Sequence, residues 1–266
     1  MPPQIEVTMP TSPDEAKRAF GAAGAAGGIT VVGGATIVMP ALRSGRLRAE
    51  RVMLLHRAEM DGIERDGDRL RIGAAARLAE LRDMPEPLAA ALAAVADPEI
   101  RAQATIGGNL CAAPGVQAPR GDLQAPLLAM GARVRSAGPG GARTESVDEY
   151  LAGARDRLVL SIEVDRPARA AYITQRRPHS HSYSVMAVAA AEVDGTVRIA
   201  AVGVAPHAIR LTSVEEALTG GAAPADAAAR ATEGVQPHDD ALASAWYRGE
   251  VLPVLVARVI EQLQGG

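Results

Sequence analysis

The chain has 266 residues, of which 48% are hydrophobic and 22% are charged, and its formal net charge is −3. This balance predicts a folded protein with a sizeable core and excludes a disordered chain. The slightly acidic charge offers no basic surface for nucleic acid, and no run reaches the roughly 18 apolar residues that a membrane span requires.

The first 160 residues alternate short apolar runs with amphipathic segments, which predicts a mixed α and β fold. In one segment, Ser12 is placed to cap a helix and Pro13 occupies its first turn. A tight turn at Asp66-Gly67 predicts a hairpin within GIERDGDRLRIGAAA. The patch SAGPGGAR is predicted to be a surface turn. Strands are predicted for QIEVTMP, ITVVGG and ERVMLLH, and helices for SPDEAKRAFGAAG, PEPLAAALAAVA and GDLQAPLLAMGA.

The pattern changes near residue 168, and we place a domain boundary at residues 165–170, in VDRPARA. Beyond it, the alternating ribbon YSVMAVAAAEVDGTVRIAAVGVAPHAIRL turns at Asp194-Gly195. Helices are predicted through SVEEALTG and ALASAWYRGEVLPVLVARVIEQL. The predicted domains are residues 1–166, with halves of about 1–56 and 57–166, and residues 167–266.

Two glycine clusters stand out, VVGGATIVMP at 31–40 and ATIGGNL at 104–110. Backbone N–H groups around successive glycines can form an anion-binding nest, so phosphate or pyrophosphate is a natural ligand. The alternative is a pair of tight turns in which glycine avoids a steric cost. Neither G-x-G-x-x-G opening a helix after a strand nor a P-loop pattern is present, which disfavours a Rossmann fold and a P-loop.

With their surroundings, the two clusters resemble the FAD-binding medium subunit of the molybdenum hydroxylases, such as the carbon monoxide and xanthine dehydrogenases. The resemblance covers nearly the whole chain. The first motif, GGATIV at 33–38, is similar to the family's Ala-Gly-Gly-Thr-Asp-Leu loop. The second, IRAQATIGGNLCAAP followed by GDLQAPLLAMGARVRS, is similar to the family's Arg-x-x-x-Thr-Ile-Gly-Gly-Asn-Leu segment and the helix and strand after it. The C-terminal half resembles the family's smaller domain through RAAYITQRRPHSHSYSVMAVAAAEVDG, EEALTG and SAWYRGEVLPVLVARVIEQL.

The resemblance implies an α+β fold, with a two-part FAD-binding domain of the vanillyl-alcohol-oxidase / p-cresol-methylhydroxylase type. A smaller domain with an antiparallel sheet and helices follows. FAD is expected between the halves of the first domain, with both glycine motifs facing the pyrophosphate and Asp122 bonded to a nucleotide hydroxyl. The implied cofactor-binding residues are Gly33, Gly34, Ala35, Thr36, Ile37, Thr105, Ile106, Gly107, Gly108, Asn109 and Asp122.

The first motif departs from the family pattern at two residues. Ala35 stands where the second glycine is usual, and Ile37 stands where an aspartate is common. A β-carbon at position 35 either forces the loop outward or requires an unfavourable φ, at a cost of about 1 kcal/mol. The segment before Asp122 is also longer than usual, and Thr174 or Gln175 stands where a lysine is common.

No metal site or catalytic pair is predicted. His179 and His181 in RPHSHS favour a solvated turn over a metal site, and the other histidines are too scattered for a zinc set with one cysteine. Cys111 cannot hold an iron–sulfur cluster alone, forms no internal disulfide and is predicted to be a small buried residue. The scattered histidines are His56, His207 and His238.

A flavoprotein that transfers electrons needs no acid–base pair, because the flavin ring carries the redox chemistry. The resemblance implies two partners, an iron–sulfur small subunit and a molybdenum large subunit, with electrons passing through FAD to an external acceptor. Two alternatives are a scaffold subunit that has lost FAD and a stand-alone flavin oxidoreductase on the same general fold. The N-terminus lacks the basic-then-apolar order of a secretory signal, so a cytoplasmic protein is expected.

Overall fold

The computed structural model describes residues 5–24, 28–112, 120–153, 156–176 and 184–265. The chain forms two compact units, and neither is one continuous stretch. The first unit comprises Met1–Leu81, Pro98–Cys111 and Arg133–Glu163; the second comprises Arg82–Asp97, Ala112–Ala132 and Val164–Gly266.

The first unit begins with a small parallel sheet in the order β1-β3-β2. Helix α1 separates β1 from β2, and the Ser12 hydroxyl accepts a hydrogen bond from the Glu15 amide at 3.2 Å, which confirms the predicted cap. The first glycine motif runs from the end of β2 into the first turn of helix α2. The elements are β1 (Glu6–Thr8), α1 (Pro13–Gly24), β2 (Thr30–Val32), α2 (Val38–Arg43) and β3 (Arg51–Leu54).

A five-stranded sheet in the order β4-β5-β8-β6-β7 completes the first unit. The hairpin predicted at Asp66-Gly67 is confirmed, since β4 and β5 pair in antiparallel fashion around it. The patch SAGPGGAR forms a turn only at its centre, because its ends are strand residues. The elements are β4 (Ile63–Asp66), β5 (Arg69–Gly73), a 3-10 helix (Leu78–Glu80), α4 (Pro98–Arg101), α5 (Ile106–Leu110), β6 (Arg133–Gly138), β7 (Gly141–Ser146), α7 (Val147–Ala152) and β8 (Leu158–Asp165).

The second unit is built on an antiparallel sheet in the order β12-β11-β10-β9, and the turn predicted at Asp194-Gly195 is confirmed. Helices α3 and α6, from the N-terminal half of the sequence, belong to this unit because they pack on its strands. The elements are α3 (Leu88–Ala94), α6 (Gln124–Ala129), β9 (Arg169–Gln175), β10 (Met186–Val193), β11 (Thr196–Val202), β12 (Ile209–Arg210), α8 (Thr212–Thr219), α9 (Pro224–Ala229) and α10 (Ala245–Gly265).

Strand β10 lies at the centre of the second unit and is buried on both faces. Met186, Val188 and Ala190 belong to the core that includes α10. Because side chains alternate along a strand, Ala187 and Ala189 point to the other face, where helix α6 packs. Among the described helices, none is long and apolar enough to cross a membrane.

A buried ion-pair network fixes the start of α10. Arg248 has no exposed surface, and its guanidinium donates hydrogen bonds to the carbonyl oxygens of Val185 and Gly203 and, at 2.7 Å, to Asp240. Arg120 donates to the other oxygen of Asp240 at 2.6 Å. The carboxylate of Asp240 thus joins the chain at residue 120 to the first turn of α10.

We expect Arg248→Met to lower the free energy of unfolding by about 3 kcal/mol, because it leaves the buried Asp240 carboxylate with one cation fewer. The control is Arg230→Met, which removes the exposed pair with Glu233 and should change little. Urea unfolding of both variants measures the difference. Equal midpoints would show that the buried network does not stabilise the second unit.

Candidate functional site

The two glycine motifs touch each other through their main chains. A β-carbon at Gly34 would overlap the carbonyl group of Gln103 and approach the Cα of Ala104 to 2.7 Å. A β-carbon at Gly33 would overlap the hydroxyl of Thr105. Glycine at both positions therefore lets the loop before α2 lie directly on the segment that leads into α5.

The first motif presents a row of backbone amides that no acceptor among the described residues uses. The N–H groups of residues 33–36 donate no hydrogen bond within the part of the chain that the structure describes. Ala35 has a φ of 62°, in the left-handed region, and its carbonyl accepts the Met39 amide at 3.0 Å. The alanine therefore takes the unfavourable φ, which is one of the two outcomes expected from the sequence. Successive amides in such a loop are suited to binding an anion.

The second motif contains the short helix α5, and four of its amides are hydrogen-bonded within the protein. The amides of Ile106 and Gly107 donate to the carbonyl oxygens of Ala76 and Ala74, at 3.0 and 2.9 Å. The Gly108 amide donates to the Thr105 hydroxyl at 3.1 Å, so Thr105 caps helix α5. The amide of Asn109 is bonded within the same helix turn, to the Thr105 carbonyl at 2.9 Å. Long-range pairing, which the motif alone does not reveal, thus satisfies the first two donors, and Thr105 satisfies the other two.

The two glycines of the second motif have different surroundings. Gly107 is buried, and a β-carbon there would lie 2.7 Å from the Ala74 carbonyl oxygen. Gly108 is exposed, and a β-carbon there would meet only the Thr105 hydroxyl, at 2.9 Å. Gly107 therefore allows helix α5 to pack closely against Ala74, whereas Gly108 leaves the exposed side of the helix uncovered.

Two cavities in the first unit meet at the contact between the motifs. The first, which we term the polar cavity, has a volume of about 350 Å³, and its walls include Gly33, Gly34, Ala35, Gln103 and Thr105. Three polar residues of this cavity, Arg77, Glu80 and Gln103, were not singled out from the sequence. Arg77 caps the 3-10 helix that ends at Glu80, which is far from both motifs in the sequence, and Gln103 lies just before the second motif. The charged and ionisable residues around it are His56, Glu59, Asp61, Arg77 and Glu80.

The second cavity, which we term the apolar cavity, has a volume of about 220 Å³ and shares Gly33, Leu55 and Thr105 with the first. Cys111 lines it and is exposed, so the predicted burial of this cysteine is wrong. Its Sγ lies 3.2 Å from the Tyr150 hydroxyl. The apolar walls are formed by Phe20, Ile29, Val31, Leu55, Leu158 and Val159.

Asp122 belongs to the second unit and is 5% exposed. Burial raises the pKa of its carboxyl group to about 6, against the lowering effect of Arg120 and Arg176. Its Oδ1 and the hydroxyl of Tyr172 are buried, and neither has a hydrogen-bond partner among the described residues. Burial and the nearby Asp122 raise the pKa of Tyr172 above its usual range. A buried carboxylate oxygen without a donor among the described residues is an available hydrogen-bond acceptor.

The other residues considered in the sequence are Thr36, Ile37 and the histidines. Thr36 and Ile37 are half-buried, and Ile37 is the residue before α2. His179 and His181 lie outside the described residues. Among the described side chains, no group of three metal-ligating residues is found. The His207 ring is hydrogen-bonded to the Ala208 carbonyl, and burial lowers the pKa of His238.

Comparison with protein families gives two matches that together span most of the chain. Residues 3–167 match the family described as "FAD binding domain in molybdopterin dehydrogenase". Residues 169–263 match the family described as "CO dehydrogenase flavoprotein C-terminal domain". The uncharacterized protein YgfM of Escherichia coli K12 is 35% identical over 211 residues, which cover 77% of each chain.

Several solved structures share the fold. A carbon monoxide dehydrogenase from Hydrogenophaga pseudoflava matches with a TM-score of 0.84 and 24% identity, covering 100% of this chain and 99% of the other. A reconstituted CO dehydrogenase from Oligotropha carboxidovorans matches with a TM-score of 0.84 and 22% identity, with the same coverage. Quinoline 2-oxidoreductase from Pseudomonas putida 86 matches with a TM-score of 0.80 and 22% identity, covering 99% and 98%.

The left-handed conformation of Ala35 leads to a stability prediction. Ala35→Gly should raise the free energy of unfolding by up to about 1 kcal/mol, because the strain of a β-carbon at positive φ is removed. The matched control is Ala79→Gly, at an exposed residue of the 3-10 helix, which should lower it by about 0.5 kcal/mol. Urea unfolding reports both changes. A loss of stability in Ala35→Gly equal to that in the control would mean that Ala35 is not strained.

Proposed function

We infer the function from one premise: the chain belongs to the family of FAD-binding medium subunits of the molybdenum hydroxylases. Its cofactor is therefore FAD, and it is a subunit of an oxidoreductase. We propose that it is a cytoplasmic protein that receives electrons from the iron–sulfur clusters of a small partner subunit and passes them through FAD to an external acceptor. In this proposal a large molybdenum subunit oxidises the organic substrate.

The observation that carries the proposal is the row of unused amides at residues 33–36. Phosphate oxygens are strong acceptors, and a backbone without β-carbons at Gly33 and Gly34 admits them closely. Gly33, Gly34 and Ala35 border the polar cavity, so the cofactor phosphates would be held there by the main chain of these residues and of Thr36, the next residue of the loop. Ile37, which precedes α2, would support this loop and not contact phosphate through its apolar side chain.

The second motif would contribute through side chains and shape. Thr105 borders both cavities, Gly108 leaves open surface at the apolar cavity, and Asn109 lies on the next position of the same helix. Ile106 and Gly107 would hold helix α5 in place, since both are buried and bonded to the segment that follows β5. The walls of the apolar cavity suit a planar ring.

Asp122 fits a ligand hydroxyl, because its Oδ1 is a buried acceptor with no donor among the described residues. At neutral pH the carboxyl is largely ionised, since its pKa is about 6. We propose that it accepts a hydrogen bond from a hydroxyl group of the flavin nucleotide.

The bound cofactor would supply the electron chemistry, so the protein needs only to bind it, orient it and restrict the access of water. The scaffold alternative requires that the first motif can no longer hold phosphate. The positive φ of Ala35 and the unused amides around it favour a retained binding loop. The stand-alone oxidoreductase alternative predicts a protein without partners, which native mass measurement on protein from its host tests.

The open surface at Gly108 gives a direct test of FAD binding. Gly108→Val should abolish retention of FAD after desalting, because branched carbons would fill the open side of helix α5. The control, Gly62→Val, lies in the same unit at an exposed glycine with no atom near its β-carbon position, and should keep the flavin. Visible absorbance of the reconstituted variants measures retention. A wild-type protein that stays colourless would establish the scaffold alternative, whereas equal retention by both variants would remove Gly108 from the site.

Asp122→Asn should raise the free energy of unfolding of the flavin-free protein and weaken its binding of FAD. Burial raises the pKa of the native carboxyl to about 6, so ionisation destabilises the folded protein as pH rises from about 4 to 6. Without flavin, the variant should therefore be more stable than the wild type by about 2 kcal/mol at pH 7.5, with no advantage at pH 3.5. Its FAD affinity should fall about tenfold at pH 7.5, because a neutral acceptor replaces a charged one. Increased stability with unchanged affinity would mean that Asp122 does not contact FAD.

A further inference from the structure

A third cavity lies entirely within the second unit and shares no lining residue with the two cavities of the first unit. Its volume is about 390 Å³, within the range of small-molecule sites. Trp246 and Tyr247 of the first turn of α10 line one part of it. Gln175 and Arg176, at the end of β9, line another. We term it the Trp246 cavity.

The solvent exposure of Trp246 is unusual, because the protein has few aromatic side chains. The chain has six aromatic residues in all, one Trp, four Tyr and one Phe, and two of the six line this cavity. Trp246 is 74% exposed, so it contributes little to the core. An exposed indole presents a large flat face that stacks well on a planar ligand.

The turn that carries Trp246 is held by hydrogen bonds on both sides. The Ala245 amide donates to Asp239 at 2.6 Å, and the Tyr247 amide donates to the Ser244 hydroxyl at 3.2 Å. Immediately beyond, Arg248 is locked into the buried network with Asp240. The backbone beneath the indole is therefore fixed before a ligand arrives, which lowers the entropic cost of binding.

Arg176 supplies a positive charge to the wall of the cavity. Its guanidinium is exposed and forms no hydrogen bond or ion pair with the described residues. The segments outside the described ranges contain no Asp or Glu, so they offer no side-chain carboxylate. Asp122 is close enough for Arg176 to lower its pKa, but the two form no ion pair. A guanidinium in this state is suited to a carboxylate, sulfonate or phosphate of a ligand.

We propose that the Trp246 cavity binds a planar aromatic anion, with the ring against Trp246 and Tyr247 and the acidic group on Arg176. An aliphatic acid would leave the indole in water, and a neutral ring would leave Arg176 without an ion pair among the described residues. The proposal goes beyond electron transfer.

Isothermal titration of the full-length purified protein tests this proposal. The probe is naphthalene-2-sulfonate, and naphthalene-2-sulfonamide is its neutral counterpart. We expect the sulfonate to bind about tenfold more tightly than the sulfonamide, as a charged pair with Arg176 predicts. Trp246→Ala should weaken both compounds about tenfold, and Trp246→Phe should restore part of the loss. Arg176→Gln should weaken only the sulfonate, to the level of the sulfonamide.

Two exposed residues serve as controls for general surface effects. Val254→Ala changes a 46% exposed side chain on the same helix α10, and Arg133→Gln removes an exposed cation in the first unit. Both variants should bind the sulfonate like the wild type. Urea unfolding checks that the Trp246 and Arg176 variants keep wild-type stability. No measurable binding, equal affinity for the two compounds, or equal losses in the control variants would overturn the proposal.

Discussion

The candidate site depends on one close contact between main chains, where Gly34 lies on the carbonyl of Gln103 and the Cα of Ala104. This contact brings together two motifs that are about seventy residues apart in the sequence, and no side chain larger than hydrogen fits between them. Two further glycine contacts support it, Gly33 on Thr105 and Gly107 on Ala74. As a result, the first motif is held at the polar cavity. Its amides at residues 33–36 donate no hydrogen bond to the described residues.

Two residues proposed to serve the cofactor are unfavourable for the folded chain itself. Ala35 adopts a φ of 62°, which L-residues with a β-carbon rarely take, and Asp122 keeps a buried carboxylate whose Oδ1 has no donor among the described residues. Features of this kind persist where the surrounding structure enforces them, and they concentrate at functional sites. Asp240, by contrast, is buried with two arginines and two backbone amides as partners, which is the arrangement expected of a structural ion pair.

Local signals in the sequence predicted local structure well. The turns at Asp66-Gly67 and Asp194-Gly195 and the cap at Ser12 each depend on residues close in the chain, and all three are confirmed. The second glycine motif does not reveal that the amides of Ile106 and Gly107 pair with Ala76 and Ala74, because these partners lie far away in the sequence. Gly138 is a second example of a residue whose distant contacts cannot be read from the local sequence. The glycine-rich patch SAGPGGAR predicted a surface turn, but Gly138 lies in β6, where a β-carbon would come 2.9 Å from the Asp156 carbonyl oxygen.

The most direct test of the account is amide hydrogen exchange at single-residue resolution, with and without saturating FAD. If the unused amides of residues 33–36 hold the cofactor phosphates, FAD should slow their exchange strongly. The amides of Ile106 and Gly107, which are bonded to Ala76 and Ala74, should already exchange slowly without FAD and change little. Unchanged exchange at residues 33–36 in protein that demonstrably retains FAD would contradict the assignment of this loop as the phosphate site.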